Sequence, residues 1–223
     1  MSKTQLEEGI ELWKKVREMT DVPSITLGPF YSEQIASGAL IRTLARYKFV
    51  ANLTEGKNVL EIGCGEGLGT FLLSKKAKYV LGIDFDSRAI EWAREHFTRD
   101  NCKFMDYDLI REKKELPIFD AVVSTDVIEH ISKRDENKFM KRVCSQLDEE
   151  GFCVIGTPNK NMAKYSSKQS QKGHVNMYDH GMLEGLVKRF FHNVFTFGMN
   201  DEAVYTGFKP MCQYLMAIGC NKK

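Results

Sequence analysis

The sequence predicts an α/β fold on a mostly parallel sheet, and three observations carry that prediction. From Asn58 onward, short apolar runs alternate with helical patterns. The first run passes directly into a turn crowded with Gly63, Gly65, Gly67 and Gly69. The next two runs each end on an acidic residue, Asp84 and Asp106.

The runs NVLEI, YVLGID, NCKFM, FDAVVS and GFCVIGT read as five parallel strands joined by helices such as LGTFLLSKK, SRAIEWAREHF and NKFMKRVCSQL. A helix carrying Met182, Leu183, Leu186, Val187 and Phe190 follows, and HNVFTFG and MCQYLMAIG close the chain. The expected sheet therefore has seven strands, the last antiparallel, with helices on both faces. Upstream, Leu6, Ile10, Trp13 and Val16 recur at helical spacing before VPSITLGPF interrupts the pattern. A second helix is expected after Ser32 as N-cap, through Ile35, Ala39, Leu40 and Leu44 to about Leu53. Residues 1–54 thus read as a helical cap and 55–223 as the main domain.

With 223 residues, 43% of them hydrophobic, the chain can bury one substantial core. Its 32 basic and 30 acidic side chains are interspersed, so no field favours nucleic acid or an anionic membrane. No apolar run approaches the ~20 residues of a membrane span, and the N-terminus lacks a signal-peptide core, so a cytoplasmic protein without membrane insertion is expected. Cys64, Cys102, Cys144, Cys153, Cys212 and Cys220 form no C-x-x-C pair, which suits reduced thiols better than disulfides or structural zinc.

A buried strand entering a glycine turn allows a ligand to approach the backbone closely, and a nucleoside-like ligand is expected there. The dinucleotide fingerprint G-x-G-x-x-G is broken by Leu68, or by Thr70 if counted from Gly65, so a nicotinamide or flavin is disfavoured. Asp84, 21 positions after Gly63, stands where a carboxylate would face a ribose diol, with Asp86 or Ser87 left to cap the next helix. Phe85 and Tyr107 are candidates to sandwich a purine, although either alone is more often core filling.

The segment VLEIGCGEGLGT resembles motif I of class I, Rossmann-like S-adenosylmethionine-dependent methyltransferases. That resemblance implies that Glu61, Gly63, Cys64 and Gly65 border the methionine portion of S-adenosylmethionine, and that Asp106 accepts from the adenine amino group. Ser124-Thr125-Asp126-Val127-Ile128-Glu129-His130 resembles the D-V-x-E-H form of motif IV in small-molecule methyltransferases, which adds Thr125 to the cofactor set. The T-P-N and G-H-V-N segments of the 157 to 177 loop are similar to bacterial methyltransferases of the ubiquinone-biosynthesis and surface-glycan kind. There this loop closes over the acceptor.

In a helical turn, Asp126, Glu129 and His130 share one face, and His130 is the candidate base for an acceptor hydroxyl. The plain alternative makes Asp126 and Glu129 a capping pair with His130 packed beneath the cofactor. Metal assistance is a further option, with His174 joining Asp126, Glu129 and His130. That set resembles the cluster of small-RNA terminal 2′-O-methyltransferases, but here the first acid is aspartate and no RNA-binding region accompanies it, so a divalent metal is not expected. Tyr31, His174, Tyr178, Asn200 and Tyr205, with Asp201 and Phe208, are candidate acceptor contacts. The resemblance implies O-methylation, or less readily N-methylation, of a small-molecule or glycan acceptor by a monomer or homodimer. RNA methylation is disfavoured by the even charge, and a catalytically silent binding subunit by the intact Asp126, Glu129 and His130.

Overall fold

The computed structural model describes residues 33–97, 99–112, 115–165 and 173–223, with side chains from residue 41 onward. The first expected helix, with Leu6, Ile10, Trp13 and Val16, and the loop holding Tyr31 lie outside the described residues.

β1 (Asn58–Ile62), β2 (Tyr79–Asp84), β3 (Cys102–Asp106), β4 (Phe119–Thr125) and β5 (Leu147–Pro158) run parallel. They are followed by β6 (Phe191–Asn200), β7 (Ala203–Tyr205) and β8 (Tyr214–Lys222). The sheet order is β3-β2-β1-β4-β5-β8-β6-β7, with β8 antiparallel to both β5 and β6. The sheet therefore has eight strands where seven were expected. The eighth, β7, folds back on β6 through the two residues between the paired Asn200 and Ala203, and Asp201 takes φ 47° there. An Asp-Glu pair is not among the usual hairpin-turn signals, so the sequence reads as loop at this point.

Among the described residues, five α-helices cover the sheet: α1 (Glu33–Leu53), α2 (Leu68–Ser74), α3 (Ser87–His96), α4 (Glu136–Ser145) and α5 (His180–Lys188). Successive residues of a strand point to opposite faces, and both faces are covered, so β1 is buried at nearly every position. Val59 packs with Tyr47, Val50 and Ala51 of α1 and Leu73 of α2. Leu60 and Ile62 pack on the other face with Phe139, Met140 and Val143 of α4 and Leu183, Leu186 and Val187 of α5. Helix α1 thus shares its core with the sheet. No helix among the described residues is long and apolar enough to cross a membrane.

Asp86 caps α3 by accepting from Arg88 N at 3.1 Å, as the sequence suggested, which leaves Asp84 without a capping role. The long connection after β5 is closed on itself. Asn159 bridges Tyr178, and Lys160 N donates to Tyr178 O at 2.8 Å. Tyr178 is fully buried and its hydroxyl donates to Glu136 Oε2 at 2.8 Å, so it anchors this end of the connection. Glu136 also receives Lys133 Nζ at 2.8 Å and Arg189 Nη2 at 2.7 Å, with Asn176 Nδ2 at 3.4 Å.

Removing a carboxylate with this many donors leaves buried polar groups unpaired. Glu136→Ala is expected to lower the unfolding free energy, measured in urea, by about 3 kcal/mol. Lys133→Ala, at an exposed ammonium, is expected to change it by no more than about 1 kcal/mol. Equal effects of the two substitutions would contradict the anchoring role of Glu136.

Candidate active site

The site begins beneath the glycine turn. Glu61 sits on β1 facing α1, almost wholly buried. Its Oε1 accepts from Tyr47 OH at 2.6 Å and its Oε2 from Thr70 Oγ1 at 2.5 Å, while Tyr47 OH also meets Thr125 Oγ1 at 2.9 Å. Burial pushes the Glu61 carboxyl up to about 7 against the pull of those hydroxyls. Strand β1, helices α1 and α2 and strand β4 therefore meet in one polar knot.

Above the knot the chain turns through Gly63, Gly65 and Gly67 at φ 73°, 50° and 89°. These are left-handed conformations that side chains resist, and a Cβ on Gly63 would overlap Val127. Gly63 N and Cys64 N both donate to Ile83 O, at 2.8 and 3.0 Å, and Gly65 N donates to Asp84 Oδ2 at 2.9 Å. The turn is thus tied to β2, whose last residue is Asp84. Asp84 Oδ1 accepts from Asp86 N at 3.0 Å, and burial raises its pKa while these backbone donors oppose the rise. Each carboxylate oxygen is oriented by one donor and keeps a lone pair for a ligand.

A cavity of roughly 430 Å³ opens over the turn, within the range of small-molecule sites. One end is walled by Asp84, Phe85, Tyr107, Asp108 and Leu109; the other by Gly63, Asp126, Val127, His130 and Gly173. Phe85 is 62% exposed, so a ring face is available for stacking. Tyr107 lines the cavity but is buried, with its hydroxyl accepting from Arg142 Nη2 at 2.7 Å.

Of the residues expected to touch cofactor, Gly63, Gly65, Asp84, Phe85 and Tyr107 line this cavity. Glu61, Cys64 and Thr125 do not; Glu61 and Thr125 lie behind the turn in the knot, and Cys64 is buried beside them. Asp106 is exposed and off the cavity, and Asp108, two residues on, lines it instead. Asp108 Oδ1 accepts from Ile110 N and Arg111 N, which curls the chain inward after β3.

At the opposite end Asp126 and His130 face the cavity. Asp126 takes φ 59°, and its Oδ2 accepts from Arg46 Nη2 at 2.6 Å. Arg46 is buried with its guanidinium 4.4 Å from the Tyr214 ring centre; burial works against its charge, but Asp126 and its other neighbours outweigh this and raise its pKa. Ile128–His130 is a 3₁₀ turn without a side-chain cap, so the capping alternative for Asp126 and Glu129 does not hold. Glu129 points inward, fully buried, with Oε2 accepting from Thr157 Oγ1 at 3.0 Å. Its Oε1 has no hydrogen-bond partner among the described residues, and burial, reinforced by Asp126, pushes its carboxyl up to about 8.

His130 Nδ1 lies 2.9 Å from Gly173 O, and because a carbonyl only accepts, Nδ1 carries the proton. Nε2 is then the ring nitrogen left to accept a proton. His174 stands edge-on to His130, ring centres 5.0 Å apart, and its pKa is lowered by burial and by His130. Glu129, His130 and His174 offer ligand atoms within 4.8 Å of one another, whereas Asp126, occupied by Arg46, is not in that group. Asn200 and Tyr205 are likewise occupied: Asn200 Nδ2 donates to Tyr205 OH at 2.8 Å and Asn200 Oδ1 accepts from Gln213 N at 2.7 Å. Neither lines the cavity; they brace the β6–β7 hairpin.

Sequence reasoning did not find Arg46, Tyr47, Thr70, Thr157 or Asp108. The one available signal was Arg46-Tyr47, polar groups set within the apolar stretch of α1 from Leu44 to Val50. Their partners, Asp126 and Glu61, are remote in sequence.

Residues 53–198 match the family described as methyltransferase domain. A probable S-adenosylmethionine-dependent methyltransferase of Mycolicibacterium smegmatis is 32% identical over 118 residues, 51% of this chain and 43% of that protein. A ubiquinone biosynthesis O-methyltransferase of Bradyrhizobium diazoefficiens is 32% identical over 133 residues, 56% of this chain and 51% of that protein. The chain spans about half the length of the curated relatives it matches. Among solved structures, a SAM-dependent methyltransferase of Thermotoga maritima, described as a possible histamine N-methyltransferase, superposes with a TM-score of 0.67 at 16% identity. That match covers 86% of this chain and 96% of the other, and it speaks to the fold alone.

The buried knot carries a pH signature. Glu61 binds its proton more tightly in the folded protein, near 7, than at its ordinary 4.5. Its contribution to stability is therefore complete below pH 4.5 and is lost as pH rises through about 7. The unfolding free energy of Glu61→Gln is expected to lack this decline, so the difference between the two proteins should change across that window. Parallel profiles would contradict the raised pKa.

Proposed function

The chain belongs to the methyltransferase-domain family, and on that premise we propose that it transfers the methyl group of S-adenosylmethionine to an oxygen of a small molecule or glycan precursor. The observation that carries the reading is the pairing, in one cavity, of a nucleoside-shaped end with a basic lone pair. Phe85 and Leu109 offer apolar faces for a purine and Asp84 two oriented carboxylate oxygens for a ribose diol, while His130 Nε2 stands at the opposite end. The methionine portion then passes over Gly63 and Gly65, where the absent side chains leave room for it.

Methyl transfer from a sulfonium is an in-line displacement. The acceptor oxygen attacks the methyl carbon, the carbon–sulfur bond breaks with its electron pair going to sulfur, and the acceptor proton leaves. Most of the catalysis is positioning, and His130 Nε2 is the group that takes the proton. Its partner Gly173 belongs to the connection after β5, so that connection orients the base. The relatives named ubiquinone biosynthesis O-methyltransferase support oxygen as the methylated atom.

Calorimetry with S-adenosylmethionine tests the first half of the reading; no heat at millimolar cofactor would remove it. For the second half, His130→Ala is expected to lower turnover on an identified acceptor by about a hundredfold or more while leaving cofactor affinity in place. Unchanged turnover would exclude His130 from the chemistry.

A further inference from the structure

On the reading of the cavity's aromatic and apolar end as the purine site, we propose that Arg142 is a positioning residue for the cofactor. From α4 it sets the shape of the segment Tyr107–Leu109 that walls that end, a role that holds only if the reading does.

Tyr107, Asp108, Leu109 and Ile110 all line the cavity, yet they follow the last residue of β3 and belong to no strand or helix. A segment of that kind keeps one shape only where its polar groups are tied down. Some ties are local or come from the sheet. Tyr107 N donates to Asp84 O at 2.8 Å, and Glu112 N to Asp108 O at 2.9 Å. Asp108 Oδ1 accepts from Ile110 N at 2.9 Å and from Arg111 N at 3.0 Å. These bonds curl the chain, and Arg142 holds the curl against the helix layer. Its Nε donates to Leu109 O at 3.1 Å and its Nη2 to Tyr107 OH at 2.7 Å. One guanidinium thus grips a residue on each side of Asp108. Arg142 itself does not line the cavity, so it acts on a ligand only through this wall.

Helix α4 gives the grip a fixed base. Glu136, Phe139 and Arg142 recur on it at three-residue spacing. Glu136 is anchored by Tyr178, Lys133 and Arg189, and Phe139 is buried and lines the cavity. Arg142 also stands in the last turn of α4, where any cation complements the helix's unpaired carbonyls. A lysine would serve that end of the helix equally well. Its ammonium, however, is a single point on a shorter stem and cannot reproduce the two directions of the planar fork. Arg142→Lys therefore separates positioning of the wall from plain stabilisation of the helix.

The test is calorimetry with S-adenosylhomocysteine on the wild-type chain, Arg142→Lys, Tyr107→Phe and the double variant, with urea unfolding of each. Arg142→Lys is expected to weaken binding about tenfold while its unfolding midpoint stays close to that of the wild type. Tyr107→Phe, which removes one of the two acceptors, is expected to weaken binding about threefold alone and to add little once Arg142 is lysine. Unchanged affinity in Arg142→Lys, with or without a loss of stability, overturns the role, and so do independent effects of the two substitutions. Should Arg142→Lys fail to fold, Tyr107→Phe decides, and wild-type affinity there overturns it. A wild-type chain that binds no S-adenosylhomocysteine at millimolar concentration removes the proposed function and this role together. Binding by the wild type with no loss in Arg142→Lys removes this role alone.

Discussion

The buried Glu61 carboxylate is the constraint on which the rest of the site depends. A charge taken out of water must be met by hydrogen bonds, and here the donors come from Tyr47 on α1 and Thr70 on α2, with Thr125 on β4 completing the set. Satisfying one side chain therefore fixes the positions of four elements. Gly69, whose missing Cβ leaves space that Tyr47 and Glu61 fill, shows how closely the pieces fit. The glycine turn rises from this foundation, and its backbone is held on the other side by Ile83 O and Asp84.

Parallel strands bring their carboxyl ends to one edge, so the acidic residues that follow β2, β3 and β4 arrive together without any local signal linking them. What distinguishes them is their partners. Asp84 is oriented by backbone amides and keeps capacity for a ligand; Asp126 is neutralised by Arg46 and shapes the turn into Ile128–His130. The cavity consequently changes character along its length, from an aromatic and apolar end to one with a histidine lone pair above a buried glutamate. Arg46 and Tyr47 are neighbours on α1 and serve the two ends separately, which makes that helix part of the site's construction.

The fold was largely legible because strand and helix periods alternate cleanly and the glycine turn punctuates the first strand. β7 was not, since Asp201 adopts φ 47° without the glycine that usually announces such a turn. Within the site, residues whose role depends on local spacing were readable: Gly63, Gly65, Asp84, Phe85 and His130 all line the cavity. Asp106 is exposed off the cavity and Asp108, two residues on, lines it, because strand ends are read from sequence only to within a few residues. Tyr178, Asn200 and Tyr205 lie at the correct edge, but edge position does not say whether a side chain faces the cavity or braces its own loop. The pairs Arg46–Asp126 and Tyr47–Glu61 are contacts between remote segments, which no single sequence displays.

A crystal structure with S-adenosylhomocysteine bound tests the central claim most directly. The account predicts the purine against Phe85 and Leu109, the ribose hydroxyls within hydrogen-bonding distance of Asp84, and the sulfur directed toward the end formed by Asp126 and His130. A ligand seated elsewhere, or one whose ribose makes no contact with Asp84, would contradict it.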